Sequence, residues 1–349
     1  MNRSFPALRG VAILLVVLNH TIHMATKYAA SANLLNQEPW LHYGLSFLSG
    51  LGIFAVPIFL FLSGCFFAYA ASRDHRLRSN YKVVWVNVWH VAFPYLIWTL
   101  IFYVEIFFLH QERYSLPEYI KNILAGYPFN FVPLLIFYYL VSPILVGLLK
   151  RFGWWVIAII GLYQILLIML VHPSAFGFRL SPFFNIFAPP ILSTPLADWA
   201  IYFPLGLIVV IQANRLSAVV HQYRWALVII TVVLYIFAAL SALSILKAPL
   251  ARYLCPMTFL LLSTNFKRAA IPMVRQLELV GKRAYGIYLM NLLILDVTLF
   301  SLSSLSPGAL GYYLILLPIL FAEVLLISMS LMGTLERAVK PEVYRYVFG

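Results

Sequence analysis

A succession of apolar stretches, each roughly 20 residues long and parted by short charged or proline-bearing breaks, constrains this chain more than any motif does. About 20 mostly apolar residues are needed to cross roughly 30 Å of hydrocarbon, and within that layer a helix satisfies every backbone group from its own segment. Composition agrees: 63% of residues are hydrophobic, 10% are charged, and the mean hydropathy is +0.92, values that exclude a soluble domain. Ten spans fit the pattern, at 6–29, 47–71, 84–109, 130–149, 153–172, 195–212, 225–245, 249–264, 285–304 and 311–333. The expected fold is an all-α, polytopic bundle of about ten transmembrane helices, forming one integral membrane domain over 1–349. The boundaries are least marked between Pro173 and Pro195, where a short re-entrant piece around 183–191 fits, and where two spans meet near Lys247 and Pro249.

Lys and Arg give a test independent of hydropathy, because basic residues stay in cytoplasmic loops. With the N-terminus inside, only Lys27, Arg113, Lys121, Arg179, Lys247 and Arg252 fall outside, against 18 on the cytoplasmic side. Ten spans with both termini cytoplasmic is the economical reading. The net charge of +13 is thereby distributed among loops along the whole chain, which argues against a nucleic-acid surface and for contact with anionic lipid heads. One loop is denser than orientation requires: Arg73, Arg76, Arg78 and Lys82 lie within ten residues, either as plain anchoring or as a dock for a polyanionic cytosolic donor. Arg3 and Arg9 before an apolar run imitate a signal peptide, but the small-residue site 30–32 lies too far from that run, so the segment reads as a retained first span. Cys65 and Cys255 both fall inside spans, and no metal-ligand spacing is present, so neither a disulfide framework nor a metal is expected.

Function must then rest on the polar groups kept inside the bilayer, where an ionisable side chain is costly. In the first span these are Arg9, Asn19, His20 and His23; later come His90, Glu105, Asp198, Asp296 and Glu323. Arg9 and His20 are eleven residues apart, which at 100° per residue returns to within about 20° of one helix face, roughly 16 Å further along the axis. They would line one wall, with Arg9 near the cytoplasmic mouth and His20 near mid-membrane. The competing reading has Arg9 snorkelling to the headgroups and His20 bonded to a neighbouring helix.

The opening Phe5-Pro6-Ala7-Leu8-Arg9-Gly10-Val11-Ala12-Ile13-Leu14, followed by Val16-Val17-Leu18-Asn19-His20, resembles the first-helix signature of the acyltransferase-3 family of membrane proteins. Val56-Pro57-Ile58-Phe59-Leu60-Phe61-Leu62-Ser63-Gly64, Pro94-Tyr95, Phe137-Tyr138-Tyr139-Leu140-Val141-Ser142-Pro143, and Gly281 with Tyr285-Gly286-Ile287-Tyr288-Leu289 are similar to the family's later motifs, in the same order. Three places differ: Ala7 stands where the family usually has an acidic residue, Asn87 and His90 where it has basic ones, and Asn291 where it has a histidine.

The resemblance implies a ten-helix acyltransferase of the plasma (inner) membrane. Such a protein takes an acyl group, commonly acetyl or succinyl, from cytosolic acyl-CoA and passes it to a hydroxyl of a glycan or lipid-linked sugar at the outer face. A sugar hydroxyl is a poor nucleophile near neutral pH, so a positioned base must take its proton, and His20 suits that role. Arg9 would hold the donor, helped by Arg76 and Arg78. Asn19, Ser63 or Tyr95 would donate to the developing oxyanion, His23 would support from the adjoining face, and Glu105, Asp296 or Glu323 would orient the imidazole. Each also has a packing reading: Ser63-Gly64 as a small-residue helix contact, Asp296 as a structural pair, Asp198 and Arg252 as helix-end residues. Trp40, Tyr43, Tyr114 and Tyr119 of the outer loops are candidates for stacking on sugar rings.

Two other classes compete with the enzyme. A glycan or small-molecule transporter would show repeats and broken helices around a midplane site, and no clear repeat joins the two halves. A non-catalytic member of the same fold would account for Ala7 and Asn291. Reporter domains fused at either end of the chain are expected to report the cytoplasmic side at both, and opposite sides would refute the even span count.

Overall fold

A computed structural model of the chain describes all residues other than 1–3, 36–37, 73–76, 174–175 and 178, with the side chains of 72 and 77–80 also outside the description. The chain is 84% helical, with no strand among the described residues, which makes it an all-α polytopic bundle. The helices are α1 (Phe5–Ser31), α2 (Pro39–Gly50), α3 (Ala55–Ser72), α4 (Leu77–Leu109), α5 (Leu116–Ala125) and α6 (Phe131–Phe152). Then follow α7 (Trp154–Val171), α8 (Ser193–Trp199), α9 (Tyr202–Ile211), α10 (Ala213–Gln222) and α11 (Arg224–Ala242). The chain closes with α12 (Ala251–Ser263), α13 (Val274–Lys282), α14 (Ala284–Leu305), α15 (Tyr313–Ala338) and α16 (Pro341–Phe348).

Eight segments among the described residues are long and apolar enough to cross a membrane, and a ninth arises if the pair α8–α9, bent by 46°, counts as one span. The expected span 195–212 is therefore a broken helix. The expected span 249–264 is α12, whose 13 residues reach about 20 Å at 1.5 Å per residue, short of the hydrocarbon thickness. The expected re-entrant piece near 183–191 holds a short 3-10 helix, Pro182–Phe187.

Two cross-helix bonds fix the relative direction of α1 and α14. His20 meets Asn291 and Tyr28 meets Asp296, so the two helices ascend together.

The helices group into two compact units, with the division falling inside α4. The first comprises Met1–Phe5, Val56–Ala92 and Tyr119–Pro272. Within it, α3 and α9 cross at two glycines: a Cβ on Gly64 would come 2.2 Å from the carbonyl oxygen of Phe203, and one on Gly206 would come 2.0 Å from that of Phe61. Only hydrogen fits at either place, so the backbones touch. The break between α8 and α9 is served by neighbours. Gln164 of α7 donates to the Ala197 carbonyl at 3.0 Å and accepts the Ile201 N–H at 3.1 Å, while the Tyr138 hydroxyl donates to the Ala200 carbonyl at 2.5 Å. Irregular backbone at membrane depth is tolerated where protein groups satisfy it in this way.

The second unit comprises Pro6–Ala55, Phe93–Glu118 and Met273–Gly349. Its α14 and α15 run antiparallel, tied by Thr298 to Glu323 at 2.8 Å toward one end and Arg283 to Glu336 at 2.6 Å at the other. The indole of Trp98 donates to the Val347 carbonyl at 2.9 Å and fastens α16 to α4. Another pair of glycines brings α1 onto α13: a Cβ on Gly10 would lie 2.0 Å from the Leu277 carbonyl oxygen, and one on Gly281 would lie 2.2 Å from that of Pro6.

Replacing Gly206 by Val is expected to abolish the monodisperse peak in detergent gel filtration, because the clash is with backbone. Gln164→Leu, which strands two buried backbone groups, should cost about 2 kcal/mol in a thermal or denaturant melt.

Candidate active site

His20 lies on α1, and its Nδ1 is 2.5 Å from the side-chain oxygen of Asn291 on α14. The amide of Asn291 is itself pinned, since its nitrogen donates to the Tyr288 carbonyl one turn earlier. A carbonyl has no proton to give, so the nitrogen must face Tyr288 and the oxygen must face His20. An oxygen acceptor at Nδ1 makes that nitrogen the protonated one. The lone pair of the neutral ring then resides on Nε2, which is the atom able to take a proton. Asn291 is fully buried and His20 is half-buried.

The neighbouring Asn19 turns to the other side of α1. Its side-chain oxygen accepts the Ser49 hydroxyl at 2.7 Å, and its Cγ would lie 2.9 Å from a Cβ on Gly52. Absence of a side chain at Gly52 is what admits Asn19. The imidazole is thus seated on a segment of α1 held by α2 through Asn19 and by α14 through its own ring.

Arg9, half-buried, sits about three turns below His20 on the same face of α1. It lies beside Gly10, where α13 presses backbone to backbone on the helix. That contact fixes the rotation of α1, and with it the direction of both Arg9 and His20.

The remaining expected residues divide. Tyr95 is buried, and Ser63 is half-buried beside the Gly64 crossing. His23, His90 and Lys82 are exposed. Arg73 and Arg76 lie outside the described residues, as does the side chain of Arg78. None of the three carboxylates named for His20 is its hydrogen-bond partner. Glu323 accepts from Thr298, Asp296 is held by Tyr28 and His110, and Glu105 lies beside Asp296 without a well-formed hydrogen bond. The partner is an amide at the position where the sequence departs from the family pattern. Asp198, expected at a helix end, gathers Tyr253 at 3.3 Å and Arg252 and His172 at 3.9 Å, joining α8 to α12 and the end of α7.

Sequence reasoning did not single out Tyr28 or His110, nor give Asn291 a role. Tyr28 and His110 sit at helix ends, where polar residues are common. The signal for Asn291 was its place in the late motif, one turn after Tyr288.

A search among curated proteins and one among solved structures return no match. The family model described as an acyltransferase domain matches residues 2–331, a stretch that includes Arg9, His20, Asn291 and the motifs around them. With nearly the whole length matched, the chain belongs to the acyltransferase-3 family, and it is a multi-pass membrane acyltransferase.

Proposed function

We propose that this protein moves an acyl group, acetyl or similar, from cytosolic acyl-CoA to a hydroxyl of a glycan or lipid-linked sugar at the outer face of the plasma membrane. His20 is the general base. As the acceptor oxygen attacks the thioester carbonyl, His20 Nε2 takes its proton; when the C–S bond breaks, that proton passes to the leaving thiolate, and an ester and a free thiol result. The observation that supports this reading most is the chain His20–Asn291–Tyr288, which places the proton on Nδ1 and leaves Nε2 as the acceptor. Asn291 is a positioning residue. It does for the ring what a carboxylate does in other histidine bases, without adding a charge to the membrane interior.

Arg9 holds the donor. Its guanidinium is charged at any working pH and presents paired N–H groups that match a phosphate. The basic residues Arg73, Arg76, Arg78 and Lys82 add long-range attraction for polyanions.

Purified protein given radiolabelled acyl-CoA and a cell-envelope acceptor fraction should transfer label, and His20→Ala should lower the rate by roughly 100- to 10,000-fold. Full activity in that variant would refute the assignment, and export of a glycan without acyl turnover would establish a transporter instead. Asn291→Leu should lower kcat by about 10- to 100-fold with little change in KM, because the ring is kept but its tautomer is released. Arg9→Lys is expected to raise KM for acyl-CoA about tenfold at nearly constant kcat; an unchanged KM would remove Arg9 from the donor site.

A further inference from the structure

Some 12 Å along α1 beyond His20, at 1.5 Å per residue, a second polar cluster forms that the transfer reaction does not use. It joins α4, α14 and α1. Glu105 lies in the last turns of α4 and His110 just after its end; Asp296 comes from α14 and Tyr28 from α1. One ligand atom from each of Glu105, His110 and Asp296 lies within 4.8 Å of the others. We propose that these three side chains bind a divalent transition-metal ion, zinc foremost.

Three observations lead there. Glu105 is only 7% exposed and neither of its carboxylate oxygens has a hydrogen-bond partner, although buried acids are ordinarily satisfied. Beside it stands another buried carboxyl, Asp296, also 7% exposed, and where the dielectric is low the two acids cannot both be charged unless a cation or a shared proton lies between them. One histidine cannot offset both. A divalent cation does, and it gives the oxygens of Glu105 the partner they lack.

The donor set selects among cations. One imidazole nitrogen and two carboxylates suit zinc or manganese, and three protein ligands with a fourth position for water is a common zinc arrangement. Calcium takes six or more oxygens and magnesium an octahedron of oxygens, and the imidazole serves neither well. Asp296 is already oriented for the task. Tyr28 donates to its Oδ1 at 2.8 Å, which leaves Oδ2, now 2.6 Å from His110 Nε2, on the side of the cluster. An arriving ion takes the place of the hydrogen bond between His110 Nε2 and Asp296 Oδ2, with the imidazole proton carried on Nδ1. The His110 side chain, 30% exposed, leaves the cluster within reach of solution ions.

The test uses the full chain in detergent, stripped with chelator and dialysed against Zn2+, with Mn2+, Mg2+ and Ca2+ in parallel, and read by elemental analysis and thermal melting. One zinc per chain is expected, with a rise in melting temperature and no comparable retention of Mg2+ or Ca2+. Glu105→Gln and His110→Ala should each lose the ion and the thermal rise, and Tyr28→Phe should weaken binding about tenfold as an orienting partner. Should Glu105→Gln fail to fold, His110→Ala decides the matter, since that side chain is the accessible one. No retained zinc in the parent chain, or equal retention in His110→Ala, would overturn the proposal. So would a Glu105→Gln chain melting higher than the metal-free parent when the parent binds nothing, because a shared proton then holds the carboxylates together.

Discussion

The bond between His20 and Asn291 organises the candidate site, because a bilayer interior supplies no water to a side chain that lacks a partner. An imidazole left alone there would cost free energy in either protonation state. Given an amide oxygen, it keeps one tautomer and one direction, and the same bond ties α1 to α14. Together with the bond from Tyr28 to Asp296, it sets the two helices parallel.

The chain handles its carboxylates differently from its imidazole. Asp198 gathers cationic and hydroxyl partners, Glu323 takes a threonine hydroxyl, and Asp296 takes a tyrosine and a histidine. Glu105 breaks the pattern. In a helix otherwise rich in aromatic and aliphatic residues, an acid with no bonded hydrogen stands out as a group shaped for something that arrives later.

Much of this was legible in the residues alone. Hydropathy carries the class of fold, and the first-helix motif with Arg9 and His20, followed in order by the later motifs, carries the resemblance to the family. The break in α8–α9 was not legible, because an apolar run reads the same whether or not it bends; what permits the bend is Gln164, some 33 residues away in sequence. The short reach of α12 was hidden for the same reason. Carboxylates are the usual mates of catalytic imidazoles, so in the sequence Asn291 reads as a departure from the family pattern and not as a partner for His20. Its role appears only when the Tyr288 carbonyl shows which way the amide must point. His110 and Asp296 are 186 residues apart, a separation at which no ligand spacing can be read.

The four glycines at the two crossings, Gly64 with Gly206 and Gly10 with Gly281, let main chains meet with no side chain between them. Contacts of that sort have no slack. A side-chain interface can be re-tailored by trading volume across it, whereas these seams admit a single occupant at each position. A change of acyl donor or acceptor must therefore be accommodated away from these seams, in the loops and the lining of the bundle, where side chains rather than main chains meet.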